Sequence, residues 1–255
     1  MPVMDEFREE REALKHGTLK EKFAYFRDYY KWHLIIAVVV IAFAASLVYQ
    51  ALTRKDTAFY AALVNVFEMT PNEEHARLFA EYAGIDTNKY EIVFDSSLHI
   101  DNASMDQETI TSTQKLMVYI AAREIDVLMM DGGTLEQYAY NETLLDLREV
   151  LSAEQIAAYE PYFYYMDQTV ADAISAAQSD PNYDYTTAPS HPDPKKPEEM
   201  ETPIPVGIYL DNAASFLENN IFLMGDGVIS IAATSPNLDT AQQYIDFILQ
   251  PQAQQ

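Results

Sequence analysis

Residues 125–139 read IDVLMMDGGTLEQYA and carry the clearest architectural signal in the chain. Ile125–Met130 reads as a strand, apolar throughout but for Asp126. Asp131 ends the run, Gly132 and Gly133 follow, and Thr134-Leu135-Glu136-Gln137 has the Thr-x-x-Gln spacing of a capping box, predicting a helix start at Thr134.

The same alternation extends in both directions. Upstream, Phe59–Val66 (FYAALVNV) and Tyr90–Phe94 read as strands. The first is followed by a helix with Thr70 as N-cap, Pro71 at its first position, Glu73 closing a capping box and Gly84 ending it. A second helix is expected over Asp106–Arg123, with Ile110, Met117 and Ile120 on its apolar face. Downstream, Ser152 and Gln155 form another capping box, and Tyr162–Tyr165 is an aromatic run with strand propensity. Seven of the twelve prolines fall in residues 181–205, predicting an extended exposed loop without ladder bonds. Val206–Leu210 and Val228–Ala232 resume the strand signal, and Asn237 caps a helix whose apolar face is Leu238, Ala241, Tyr244, Ile245 and Ile248. Strands alternating with helices imply an α/β fold with an open, mainly parallel sheet.

Residues 34–52, LIIAVVVIAFAASLVYQAL, contain no formal charge. A helix rising about 1.5 Å per residue over that length nearly matches a hydrocarbon core of about 30 Å, so a single transmembrane helix is expected. Tyr29, Tyr30, Lys31, Trp32 and His33 flank one end and Tyr49, Arg54 and Lys55 the other, as amphipathic rings and snorkelling cations do at an interface. Lys20, Lys22, Arg27 and Lys31 outnumber Arg54 and Lys55, predicting a cytoplasmic N-terminus and an extracellular C-terminal domain in the cell membrane. Cleavage after Ala42-Phe43-Ala44 is the rival reading, but the preceding charged region is long for a signal peptide and the apolar stretch continues to Leu52. Three parts follow: residues 1–33 as a charged and aromatic cytoplasmic helix interrupted at Gly17, the anchor at 34–52, and an α/β domain over 56–255.

Charge partitions unevenly between them. The chain has 16 Lys+Arg, 40 Asp+Glu and a net charge of −24; residues 1–33 hold seven of each sign, leaving nine basic and 33 acidic side chains beyond the anchor. Such a surface disfavours nucleic acid. The absence of cysteine removes disulfides, thiolate metal sites and cysteine nucleophiles. His16, His33, His75, His99 and His191 are scattered without metal-ligand spacing, and no G-x-S-x-G, P-loop or dinucleotide fingerprint occurs. No catalytic residue, metal or cofactor is therefore assigned, and the enzyme reading is set aside.

Three segments in order, IDVLMMDGGTLEQYA, LLDLREVLSAEQ and AQQYIDFILQPQAQQ, resemble the extracellular solute-binding proteins of ABC transporters, particularly the sugar-binding type. In the last segment Ala241, Ile245, Phe247, Leu249, Pro251 and Gln254 carry the likeness. YYKWH before the span and TRKDTA after it resemble a group of anchored Gram-positive proteins. The resemblance implies a periplasmic-binding-protein-like lobe, a carbohydrate ligand and a transporter nearby. Two departures qualify it: residues 140–205 are too short and proline-rich for a full second lobe, and the usual lipidated cysteine is missing. One lobe, or one lobe with a rudimentary second, is expected, without full closure around a solute.

Ligands of open parallel sheets sit at the carboxyl ends of strands. That topology nominates Glu68 after the first strand, Asp95 and Ser96 after the second, and Asp131, Gly132, Gly133 and Thr134 after the third. Carboxylates there can bond sugar hydroxyls and glycines admit close backbone approach, although capping and turn roles suit the same residues. Tyr159, Tyr162, Phe163, Tyr164 and Tyr165 could stack on a sugar, with core packing as their ordinary alternative, and Met224-Gly225-Asp226-Gly227 reads as a tight turn. The competing function is an interaction protein of an envelope complex that has lost solute binding and docks through the proline-rich loop.

Overall fold

A computed structural model describes residues 18–104, 106–178 and 190–249. Its elements fall into two units divided between Arg54 and Lys55. The first described element, helix α1 (Leu19–Thr53), runs unbroken through the apolar stretch, and its Lys31–Gln50 portion is long and apolar enough to cross a membrane. Gly17, His16 and the rest of residues 1–17 lie outside the described residues, as do residues 181–189 of the proline-rich segment and Pro251 and Gln254.

The second unit is α/β. Strand β1 (Asp56–Val64) leads into the short β2 (Val66–Glu68), helix α2 (Glu73–Ala83), β3 (Tyr90–Leu98), α3 (Gln107–Ala121), β4 (Val127–Asp131) and α4 (Gly132–Tyr140). A 3-10 turn (Leu147–Glu149), α5 (Ala153–Tyr159) and a second 3-10 turn (Glu160–Tyr162) precede β5 (Phe163–Asp167) and α6 (Gln168–Gln178). The chain then supplies β6 (Pro203–Tyr209), a one-turn helix α7 (Ala214–Leu217), β7 (Asn220–Phe222), β8 (Gly227–Ile231) and α8 (Leu238–Leu249). Six strands form one sheet in the order β3-β1-β4-β8-β6-β5, while β2 and β7 pair as a separate antiparallel ribbon.

The sheet is mixed. β1 is parallel to β3 and β4, and β8 is antiparallel to both β4 and β6, so β3, β1, β4 and β6 point one way. β8 and β5 run against them. The expected parallel pattern thus holds for the first three strands and gives way where β8 inserts beside β4.

Alternation of strand side chains builds two cores. Phe59, Ala61 and Leu63 of β1 join Val127 and Met129 of β4 under α2 and α8; Ala62, Val64, Leu128 and Met130 join the face covered by α3, α4 and α6. Phe59, Phe79 and Tyr244 meet at centroid separations of 4.7–5.0 Å in tilted and edge geometries favourable to aromatic quadrupoles.

Several local expectations are corrected. Helix α2 starts after Asn72 rather than Thr70, whose hydroxyl and N–H both donate to Asn219 Oδ1, at 2.6 and 3.0 Å, and so tie Thr70 to the segment before β7. Its C-terminus does close on Gly84, whose φ of 69° is the left-handed conformation that glycine adopts without penalty. In α3 the buried face is Thr109, Ser112, Leu116 and Ile120; Met117 lies one residue off that stripe and is exposed. Helix α4 is capped by Asp131, not Thr134, so the two glycines are its first residues. In α8, Ala241, Tyr244, Ile245 and Ile248 are buried, whereas Leu238 on the first turn is exposed. The end of the proline-rich segment is not a free loop: Pro203, Ile204 and Pro205 open β6 and pair with the edge strand β5, before the stretch at Ile208 and Tyr209 where β6 also pairs with β8. Both bonds of the capping box between Ser152 and Gln155 are present.

Candidate functional site

The order β3-β1-β4 makes the chain leave β1 toward one face of the sheet and β4 toward the other, opening a switch point at their carboxyl ends. Two residues meet there. Asn65 follows β1 with a φ of 57°, a left-handed conformation that asparagine tolerates better than branched residues. Its amide clasps the backbone after β3, accepting from the Ile100 N–H at 2.9 Å and donating to the Ile100 carbonyl at 2.8 Å. Asn65 Nδ2 also reaches Asp131 Oδ2 at 3.3 Å.

Asp131 is 4% exposed and accepts from the Thr134 N–H at 2.9 Å and the Thr134 hydroxyl at 2.8 Å. An N-cap carboxylate at a helix start satisfies an otherwise orphaned donor and complements the helix dipole. The crevice at the switch point is therefore filled by its own side chains.

Beside this knot lies an open cleft of about 320 Å³. Asp131, Gly132 and Gly133 form its floor, Glu136 stands on α4, Tyr164 comes from β5, Tyr209 from β6, and Asp226 from the turn before β8. The Tyr164 hydroxyl donates to the Gly132 carbonyl at 3.1 Å, and the Gly132 N–H donates to the Asp226 carbonyl at 3.1 Å. A Cβ at position 132 would stand 3.3 Å from the Tyr164 ring, so the close approach that glycine permits here is taken by Tyr164.

A strap over residues 190–200 edges the cleft. Lys195 Nζ lies 3.1 Å from Asp226 Oδ2 and 4.4 Å from the Tyr209 ring centroid, a cation–π placement. His191 stacks on Tyr140 at 4.0 Å and 6°, with Nδ1 3.1 Å from Glu136 Oε1. The strap is fastened by the Tyr165 N–H donating to the Pro194 carbonyl at 3.0 Å. Burial first, then the neighbouring Asp193, Asp226 and Asp211 carboxylates, push the Tyr209 phenol up to about 12. Burial likewise raises Tyr164. Both phenols therefore keep their protons at neutral pH; Tyr164 gives its own to the Gly132 carbonyl, and Tyr209 can serve as a donor beside carboxylate acceptors. Among the described residues, no group of three metal-ligating side chains occurs. The cleft offers aromatic faces, phenolic oxygens and acids, with one ammonium at its edge.

Of the nominated residues, Asp131, Gly132 and Gly133 line this cleft and Thr134 is buried beneath it. Glu68 belongs to the ribbon, where its carboxylate accepts from Asn72 Nδ2 at 2.8 Å, and it does not line the cleft. Asp95 and Ser96 lie inside β3 rather than after it, because the strand continues to the buried Leu98. Asp95 accepts from Tyr60 Oη at 2.6 Å, Ser97 Oγ at 2.6 Å and Lys115 Nζ at 2.7 Å. Burial alone would raise its carboxyl, but the hydrogen bonds from Lys115, Ser97 and Tyr60 outweigh it and hold the group at about 2. Asn65, Glu136, Tyr209, His191 and Lys195 escaped sequence reasoning. Only Asn65 left a signal, as the one polar side chain within FYAALVNV.

No family model, curated protein or solved structure matches this chain.

Proposed function

We propose that this protein is a single-pass, membrane-anchored binding module whose N-terminus is cytoplasmic and whose acidic α/β unit faces the exterior. Its cleft takes a small hydroxyl-rich solute of carbohydrate type, as an accessory to a transporter. The observation that carries this reading is the convergence of Tyr164, Tyr209, Glu136 and Asp226 on one space of about 320 Å³. Carboxylates and phenols match the donors and acceptors of sugar hydroxyls, and the Tyr209 face offers a stacking surface. The excess of basic residues before the apolar helix supports the orientation.

Thermal-shift measurements on the full chain in detergent, with a panel of mono- and oligosaccharides at millimolar concentration, test it. A ligand that raises the melting temperature, and fails to do so with Tyr209→Ala, is the expected result. No shift across the panel favours the second reading, an interaction protein that has lost solute binding. That alternative draws on the switch-point crevice, which Asn65, Asp131 and Thr134 occupy themselves.

A further inference from the structure

The β2–β7 ribbon inverts the usual partition of side chains. Val66 pairs with Phe222, Phe67 with Ile221 and Glu68 with Asn220. The pairing continues at both ends, with the Met69 N–H donating to the Asn219 carbonyl and the Leu223 N–H to the Asn65 carbonyl, each at 2.9 Å. Successive strand residues face opposite sides. Val66 and Asn220 point inward and are buried, whereas Phe67, Met69, Ile221 and Leu223 point outward, joined by Met224 in the turn, and are 46–55% exposed. Five large apolar side chains thus form one outward face on a ribbon of two short strands, the kind of patch that marks an interaction site.

The surrounding charge selects the occupant. Residues 56–76 and 197–255, which supply both strands and the chain around them, contain no Lys or Arg. Glu73 is exposed at the start of α2, whose N-cap Asn72 bonds Asn220 of the ribbon; Glu218 precedes β7 and Asp226 follows Met224. Lys195, the cation that reaches this region, is already engaged by Asp226. A second copy would set like charges against one another across the same patch. The chain's own segments 179–189, SDPNYDYTTAP, and 250–255, QPQAQQ, carry no Lys or Arg to meet the acids and, apart from Tyr183 and Tyr185, no apolar side chain larger than alanine or proline.

We propose that this face docks a cationic amphipathic segment of another protein, its apolar side chains laid on Phe67, Ile221 and Leu223 and its Lys or Arg residues set against the acidic rim. Met224 and Asp226 also line the cleft described above, so the docked segment would lie along the edge of that cleft. The proposal stands whether or not the cleft binds a solute.

The chain has no cysteine, so Leu223→Cys carries a single environment-sensitive fluorophore. The full chain in zwitterionic nanodiscs is titrated with an amphipathic Leu/Lys helical peptide of about 18 residues. A blue shift that saturates is expected with this peptide and not with its Leu/Glu or Ser/Lys counterparts. On unlabelled protein, Phe67→Ser with Ile221→Ser should weaken binding by about tenfold or more, as loss of central apolar anchors does. Met69→Ser with Met224→Ser serves as the second variant should the first not fold. Equal response to the Leu/Glu or the Ser/Lys peptide overturns the proposal, as does undiminished binding by a folded variant. So does a blue shift before peptide is added: one growing with protein concentration makes the occupant a second copy, and one independent of it makes the occupant the bilayer.

Discussion

Asn65 separates two opposite solutions to the same problem. On its β1 side, at the switch point, polar groups are buried and mutually bonded, with Asn65, Asp131 and Thr134 leaving no carboxylate oxygen idle. On its β2 side, apolar groups are exposed on a hydrogen-bonded ribbon. Burying a polar group is tolerable only when it is bonded, and exposing an apolar one forgoes the main driving force of folding. The contrast teaches that the knot serves the fold, while the ribbon face contributes little to it.

Substitutions should separate the two. Asp131→Ala removes the cap of α4 and strands the buried Thr134 and Asn65 donors, so a loss of about 3 kcal/mol in urea denaturation is expected. A loss under about 0.5 kcal/mol would mean that the knot is incidental.

The next largest effect concerns His75, which bonds the Tyr244 hydroxyl at 3.0 Å among the rings of Phe94, Phe216 and Phe247. Burial lowers its pKa to about 4 from 6.5. The unfolded chain therefore binds the proton more readily, and stability that is full above about pH 6.5 falls as the pH drops through about 4. The wild type should lose about 2–3 kcal/mol more than His75→Gln between pH 7 and pH 4. Identical pH profiles would contradict the partly buried neutral imidazole.

Asp95 gives a smaller effect in a lower window. With its carboxyl held at about 2, it contributes stability above its ordinary value near 4 and loses it as the pH falls through 2. Asp95→Asn should cost about 1 kcal/mol at pH 7, discounted for the partly exposed Lys115, and progressively less as the pH falls through 2. Smallest of all, Phe67→Ser on the ribbon should change stability by less than about 0.5 kcal/mol, since its side chain is more than half exposed.

The sheet was legible wherever strands are long and apolar. FYAALVNV, IDVLMM, VGIYL and VISIA each mark a central strand because burial on both faces leaves no polar alternation to confuse with a helix. Strand direction was not legible, since nothing in VISIA records that it runs against β4. The ribbon escaped because three-residue strands carry no period and β2 merges into the run before it. One expected cap, Thr70, is instead tied to a partner distant in sequence, Asn219. Asp131 and its glycines could be nominated from topology alone. Tyr209, Lys195 and Asp226 could not, because segments far apart in the chain bring them together. Buried acids hid among the 40 carboxylates. Asp126 accepts from the Tyr60 N–H and Ser235 hydroxyl, and Asp167 from the N–H groups of Thr169, Glu201 and Thr202, so both are structural latches that composition cannot tell from surface charge.

An exterior binding module needs its acidic unit outside the cell, and a cysteine-free chain makes that simple to measure. Single variants Lys20→Cys and Thr202→Cys, on either side of the apolar helix, are exposed to a membrane-impermeant maleimide on intact cells. The proposed orientation requires Thr202→Cys to label at once and Lys20→Cys only after permeabilisation. Labelling of Lys20→Cys alone on intact cells, or protection of both until lysis, would contradict it.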